Sequence, residues 1–426
     1  MKKVSKVAVA GVAAAVAMVL SGTSGSLLPG LVTAAFAQDA AGGGGKPQVS
    51  AAAGKDLQEA QKALSAHKYD ETLALLDKVK NNPKKNDYDE HVMNEFYVTV
   101  YAAKKQFQEA TGPLEKIISS KFTAPAELKQ RVVQAASMFE ELKNYDKAIE
   151  YGNRAIKDGY GTPAVQLIVA QSYYQKNDFK DANKFIRGVT DDQAKAGQVP
   201  SDDLLQLGLS SAVKLNDDAG QNHWFEMLVT YHPKPEYWQN LLAGMFREKL
   251  TDRQLLEVYR LAADVGAIKR GSDYAEMAQL SLDAGSPGEA VTVLSKGFEA
   301  NVFTAQADKN RNQHLLDSAK KEAEADQPAL VKQEADASGA PNGDKLVGVG
   351  VGYFGYGDYA KATKDLQAGI AKGPTKDPQD AKLLLGIAQY KAGAKDDAVK
   401  TLKSVKGDPT LERLAALWVL HIRAAA

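Results

Sequence analysis

The sequence predicts an all-α fold, an α-solenoid of helix–turn–helix pairs stacked edge to edge. Three observations predict it. The first is a pattern written twice between Ala135 and Phe185. In the first copy Ala136 and Phe139 precede a polar Lys143–Asn144 turn, which is followed by Tyr145, Ala148 and Ala155. In the second, Ala170 and Tyr173 precede Asn177–Asp178, followed by Phe179, Ala182 and Val189. Such spacings put the small and aromatic residues on one face of each helix. The second observation is that the aromatic opening the second helix recurs. It stands at Tyr69, Phe107, Tyr145 and Phe179, in steps of 38, 38 and 34 residues. The third is length. A chain of 426 residues is more than one compact core organises, whereas a solenoid grows in one dimension.

The pattern resembles the tetratricopeptide repeat (TPR), a helix–turn–helix unit of about 34 residues. The resemblance implies a right-handed superhelix. The residues give it a physical sense. Ala136 and Ala148 let paired helices approach closely, while Phe139 and Tyr145 fill the space around that contact. One pair cannot bury its apolar face alone, so it must stack on neighbours.

Nine such repeats can be placed, seven over residues 55–298 and two over 345–407. Pro83, Pro125 and Pro163 lie near junctions, where proline begins or follows a helix. The second repeat carries Tyr97, Val98 and Tyr101, then Ala110, Leu114 and Ile117. In the fifth, Asp217 replaces the opening aromatic and the large Trp224 compensates. The sixth holds Trp238, Leu241, Leu242 and Met245, then Leu255, Tyr259 and Ala262. The seventh turns at Gly285–Ser286–Pro287. Regularity lapses over 299–344, where a charged, Ala-rich stretch predicts a divergent, partly exposed helical pair and then a loop from Ala337 to Gly343. The eighth and ninth repeats carry Tyr353, Tyr359, Ala362 and Leu366, then Leu385, Gly386, Ala398 and Leu402. Residues 408–426 supply a capping helix with Leu414, Leu417 and Trp418 on one face.

The N-terminus reads differently. Lys2, Lys3 and Lys6 precede an uncharged apolar run from Val7 to Leu20, and Ala35-Phe36-Ala37 offers a small-x-small cleavage site. Residues 1–37 are therefore expected to be a cleaved signal peptide, with Gln38 the first mature residue. The apolar run is 14 residues, short for a retained membrane span of about 20. The expected location is periplasmic. Residues 38–54, rich in Ala and Gly, are expected to be a disordered tether.

Composition narrows the function. Lys plus Arg equals Asp plus Glu, at 53 each, so no basic excess points to nucleic acid. Removing the three lysines of the signal leaves 50 basic residues against 53 acidic ones. With no cysteine there can be no disulfide, Cys-ligated zinc, Cys nucleophile or lipid-anchored Cys. Val347 to Gly357 reads VGVGVGYFGYG. Its glycines sit where the repeat wants small residues, not in a strand-to-helix nucleotide loop. The six histidines show no HExxH and read as isolated surface or turn residues rather than metal ligands. The acidic pairs Asp191–Asp192, Asp202–Asp203, Asp217–Asp218 and Asp396–Asp397 read as helix-start and turn residues. The cluster around His223, Trp224, Phe225, Tyr231, Tyr237 and Trp238 reads as core filling, or else as an exposed anchor for a partner. No cofactor, metal or catalytic set is expected.

The segments Tyr231-His-Pro-Lys-Pro-Glu-Tyr-Trp238, Ala278-Gln-Leu280 and Lys382-Leu-Leu-Leu-Gly-Ile-Ala-Gln-Tyr390 are similar to secreted TPR proteins encoded beside TonB-type energy-transduction systems. This likeness implies a periplasmic scaffold or adaptor for an inner-membrane complex, without enzymatic activity. The TPR frame also implies that the first helix of each pair lines a concave, partner-binding groove. Carried onto this sequence, the groove comprises Glu95 and Thr99, then Val133, Ser137 and Glu140, then Leu167, Gln171 and Tyr174. It continues with Leu205, Leu209, Leu383, Ile387 and Tyr390. The lining mixes apolar and uncharged polar groups and lacks a Lys/Arg cluster, so the expected ligand is a peptide segment or helix. A second reading is a solute- or polysaccharide-handling component of an envelope export assembly.

Overall fold

A computed structural model describes residues 47–424; the expected signal peptide lies outside the described residues. Among the described residues there are twenty α-helices and no strand. They fall into two compact units that divide between Asp217 and Asp218.

The first unit comprises α1 (Ala51–Ser65), α2 (Tyr69–Asn81), α3 (Asp87–Ala103), α4 (Phe107–Ser119), α5 (Pro125–Glu141), α6 (Tyr145–Lys157), α7 (Pro163–Gln175), α8 (Phe179–Lys195) and α9 (Asp202–Lys214). Through α8 these are four antiparallel pairs, each helix packed on the next. First members of neighbouring pairs also meet, α1 on α3, α5 on α7, and α7 on α9. The core is local. One cluster joins Leu57, Leu76 and Phe96, and another joins Leu114, Ile117, Met138 and Ile168. Each fully buried leucine or isoleucine contributes about 1.5–3 kcal/mol.

Turns inside the pairs share one geometry. The residue after the helix takes a left-handed conformation: His67, Lys105, Lys143 and Asn177, with φ of 57°, 57°, 57° and 63°. The next N–H then reaches back five residues, as Lys68 to the Ala63 carbonyl at 2.9 Å and Asn144 to that of Phe139 at 2.8 Å. This is the Schellman ending. It places the aromatic that opens the next helix directly after the turn. The close approach of successive pairs is visible at Gly152 on α6, where a Cβ would stand 2.3 Å from Val169 Cγ2 on α7.

The first helix begins earlier than the sequence predicts. Residues 51–54, expected to belong to the tether, are helical, and Ala53 is fully buried. Ser50 caps the helix, accepting from the Ala53 N–H. Its own N–H and hydroxyl donate to the Asp89 carboxylate at 2.8 and 2.6 Å.

The second unit comprises α10 (Asp218–Tyr231), α11 (Pro235–Ala243), α12 (Asp252–Asp264), α13 (Gly271–Asp283), α14 (Pro287–Glu299), α15 (Gln306–Ser338), α16 (Asp344–Gly355), α17 (Tyr359–Lys372), α18 (Pro378–Lys391), α19 (Lys395–Lys403) and α20 (Pro409–Ala424). Here the core is continuous, one cluster running from Val229 to Ile422. The reason is α20. It packs not only on α18 and α19 but back on α10 and α12, with Leu414 and Trp418 almost wholly buried. The helix expected to cap an open end instead joins the two ends of its own unit. Polar contacts follow the same seam. Arg413 donates to Glu248 at 3.0 Å, Gln254 to Asp408 at 3.0 Å, and Arg253 pairs with Asp377 at 2.8 Å.

Segment 299–344 is also corrected. It forms one helix of 33 residues, α15, rather than a pair, and the following loop starts at Gly339 rather than Ala337. Residues 306–338 contain no glycine to end a helix. Pro328 removes a single backbone donor without creating a turn. The helix is held between α14 and α16 by Leu316, Ala319, Leu330 and Ala337.

Candidate functional site

The first helices of the first unit carry eight of the predicted partner-binding residues on α3, α5 and α7, and two more on α9. On α3, Glu95 is buried and Thr99 half-buried; the Thr99 hydroxyl donates to the Glu95 carbonyl at 2.9 Å. On α5, Ser137 is buried and donates to the Val133 carbonyl at 3.2 Å, leaving Val133 and Glu140 half-exposed. Burial, and then the neighbouring Glu141, raise the Glu140 carboxyl above the usual range. On α7, Gln171 is buried while Leu167 and Tyr174 are half-exposed. The Tyr174 ring stands edge-on to Phe179, centroids 5.1 Å apart. The accessible part is thus a band: Thr99, Val133, Glu140, Leu167 and Tyr174.

Beneath that band lies a feature the sequence reading missed. Arg131, on α5 and 7% exposed, donates through Nη2 to Glu95 on α3, with Glu127 Oε1 3.6 Å away. The pair ties two first helices together inside the unit. Burial pushes the Glu95 carboxyl up to about 7, against the pull of Arg131. His91 lies alongside, stacked on Tyr88 at 6.0 Å and close to Phe122. Burial and then Arg131 lower its pKa. His91 is only 5% exposed, so it is not the surface residue the sequence suggested. In sequence, Glu127 and Arg131 look like an ordinary i,i+4 surface pair; only the packing of α3 on their face reveals otherwise.

The remaining predicted groove residues sit elsewhere. Leu205 is fully buried and Leu209 is 9% exposed. Leu383 and Ile387 on α18 are buried in the continuous core of the second unit. Tyr390 packs against α20, its ring 6.2 Å from Trp418 and 5.7 Å from His421. Leu383 and Ile387 are thus core residues, and Tyr390 is half-exposed beside α20. The return of α20 is a long-range contact that no local spacing announces.

Other sequence candidates resolve into structure. The glycines of VGVGVGYFGYG lie on α16 and in its turn. A Cβ at Gly350 would meet Leu366 Cγ at 2.7 Å, one at Gly352 Leu330 Cδ2 at 2.7 Å, and one at Gly355 Ser286 Oγ at 2.2 Å. Gly350, Gly352 and Gly355 are therefore points of close packing, whereas a Cβ at Gly348 would meet nothing within 4 Å. Trp224 and Trp238 are 0% and 2% exposed, so these two fill core, whereas His223, Phe225, Tyr231 and Tyr237 are half-exposed. His421 also departs from the surface expectation, lying 2.8 Å from Asp264. Burial alone would raise Asp264, but bonds from His421 and Lys391 carry it below the usual range. Of the acidic pairs, Asp202–Asp203 and Asp396–Asp397 occupy first helical turns. Asp191–Asp192 instead lie near the C-terminal end of α8, where the helix dipole disfavours them.

Among the described residues no three His, Asp or Glu side chains are placed to hold a metal ion, and no helix is long and apolar enough to cross a membrane. The second unit holds its own buried ion cluster. Arg260 on α12 donates to Glu289 on α14 at 2.9 and 2.7 Å and to Glu257, with Phe354 5.1 Å from the guanidinium. Burial pushes Glu257 up to about 8 and raises Asp380.

No known family model matches the chain, and no curated protein matches it. Solved structures similar to it include a tetratricopeptide repeat protein from Parabacteroides merdae, at 12% identity and TM-score 0.31, covering 80% of this chain and 100% of that one. The TPR2AB domain of yeast Sti1, in a pHSP90 complex, has 13% identity and TM-score 0.25, covering 71% and 100%. The P58(IPK) TPR domain has 13% identity and TM-score 0.23, covering 86% and 96%. At such distances the fold rests on the helix pairs themselves. They make the chain a helical repeat array.

Proposed function

We propose that the chain is a non-catalytic scaffold that binds another protein through the first-helix face of its first unit. The observation that carries this is the half-exposed band Thr99, Val133, Glu140, Leu167 and Tyr174, spread over three successive first helices. Its shape suits an extended segment or a helix better than a compact substrate. Its chemistry suits apolar and amide contacts, with Glu140 as the one acidic group. The buried Arg131–Glu95 pair fixes α3 against α5 and so holds the band in register before a partner arrives. Preorganisation of this kind lowers the ordering cost of binding.

The apolar N-terminal run and its small-x-small site support export to the periplasm. The segments at 231–238, 278–280 and 382–390 support a partner in an inner-membrane energy-transduction complex. The test is a Glu140→Ala, Tyr174→Ala double variant. Its affinity for a protein partner recovered from periplasm should fall about tenfold or more, with an unchanged melting temperature. Unchanged affinity contradicts the assignment. N-terminal sequencing of the periplasmic fraction should begin at Gln38.

A further inference from the structure

Away from the first-helix face, the first unit contains a cleft of about 520 Å³ formed by α6, α7, α8 and the loop after α8. We propose that this cleft binds a neutral saccharide unit. The inference is independent of the protein-binding face.

The cleft is built by a departure from the repeat. Helix α8 has 17 residues where α2, α4 and α6 have 13. The additional turn carries Asp192 and Gln193 to the cleft edge. Gly197 then ends the helix in a left-handed conformation, φ 67°. The Gln198 N–H donates back to the Gln193 carbonyl at 2.8 Å, which folds Gln198 over the same edge.

Its chemistry favours a ring with hydroxyl groups. Tyr173 and Phe185, both half-exposed, line one wall with centroids 6.1 Å apart and planes inclined at 45°. Aromatic faces of this kind accept the apolar C–H face of a pyranose. Gln193 Nε2 donates to Gln166 Oε1 at 3.0 Å, and Gln193 Oε1 is buried without a partner. A sugar hydroxyl supplies the missing donor once the amide adjusts. Around the rim stand Asp181, Asp192 and Lys184, and Lys195 pairs with Asp192 at 3.4 Å. The rim therefore carries no cationic excess to select phosphates or acidic sugars. The volume fits a small ligand rather than an extended chain.

Gly188 is the second sign. It lies inside α8, on the cleft, and a Cβ there would have no atom within 4 Å. Glycine inside a helix is destabilising relative to alanine. The helical glycines at 152, 350, 352 and 386 each repay that cost by close packing, with a Cβ contact of 2.3–2.7 Å. Gly188, like Gly112 and Gly348, has no such packing, but it alone of these three lines the cleft. Its bare backbone leaves room for a ligand to approach.

The test titrates the purified protein with maltotriose, cellotriose and chitotriose, with trigalacturonic acid as the acidic counterpart, by saturation-transfer NMR and calorimetry. At least one neutral probe should bind. Gly188→Leu, whose Cβ would meet no atom within 4 Å and whose side chain would occupy the cleft, should weaken it about tenfold or more with no drop in melting temperature. Tyr173→Ala should weaken it as well. The proposal is overturned if no neutral probe binds at about 10 mM, if Gly188→Leu binds as the parent does, or if the acidic sugar binds more tightly. It is equally overturned if Gly188→Leu abolishes capture of a protein partner while no sugar binds.

Discussion

The two units use one repeat and reach opposite ends. In the first, the core is a succession of local clusters and the first-helix face keeps Val133, Leu167 and Tyr174 half-exposed. In the second, α20 turns back onto α10 and α12, so the core is continuous and the corresponding Leu383 and Ile387 are buried. Each also buries one arginine among carboxylates. Arg131 joins two first helices, whereas Arg260 joins two second helices, α12 and α14, under Phe354. The difference teaches that a repeat pattern specifies pairs and neighbours. Whether the face those pairs create stays open is decided by what the end of the array does.

The contrast can be broken at its strongest point by Trp418→Ala. Removing this side chain, 1% exposed, should cost about 4 kcal/mol. Hydrogen exchange should speed up across α10, α12, α18 and α20 while α3 to α7 keep their protection. Equal loss in α3 to α7 contradicts the division into local and continuous cores. Next in size is Arg131→Ala, which leaves Glu95 buried and uncompensated. Urea denaturation at pH 8 should show a loss of about 3 kcal/mol, and Arg131→Met combined with Glu95→Gln should recover part of it.

A pH series sharpens the comparison further. Folded Glu95 holds its proton up to about 7, while the unfolded group releases it near 4.5. Between these values the folded state binds more protons, so stability is full below 4.5 and falls as pH rises through 7. About 3 kcal/mol should be lost in the first unit over that window, and Glu95→Gln should flatten the profile. Glu257, raised to about 8, extends the decline of the second unit about one pH unit higher. Exchange protection measured from pH 5 to 9 reads the two separately.

The smallest effect concerns the turns. The first unit places His67, Lys105, Lys143 and Asn177 in left-handed conformations, where the second uses Gly285, Gly357 and Gly393. Lys143→Gly should therefore stabilise by up to about 1 kcal/mol, and Gly393→Ala should destabilise by about as much. Both can be read from melting temperatures.

These turns also show how much of the fold was legible. The polar dipeptide followed by an aromatic marks Lys143–Tyr145 and Asn177–Phe179 in the sequence because a helix must end, reverse and restart there. Glycine-free residues 306–338 carried an equally local message, that nothing stops the helix, although the repeat frame suggested a helical pair there. The closure by Trp418 and the burial of Arg131 were not legible, since both depend on helices far apart in sequence. Of the candidate face, Thr99, Val133, Glu140, Leu167 and Tyr174 lie half-exposed on helices where the repeat frame put them. Leu383 and Ile387 obey the same frame and are covered for reasons outside it.

The central claim, an open recognition face in the first unit and none on the matching helix of the second, is tested most directly by site-specific photo-crosslinking in cells. A benzoylphenylalanine placed at Leu167 or Tyr174 should give a discrete adduct with one partner protein, and the same residue placed at Ile387 or Tyr390 should give none. Adducts from Ile387 and Tyr390 with none from Leu167 and Tyr174 contradict the account.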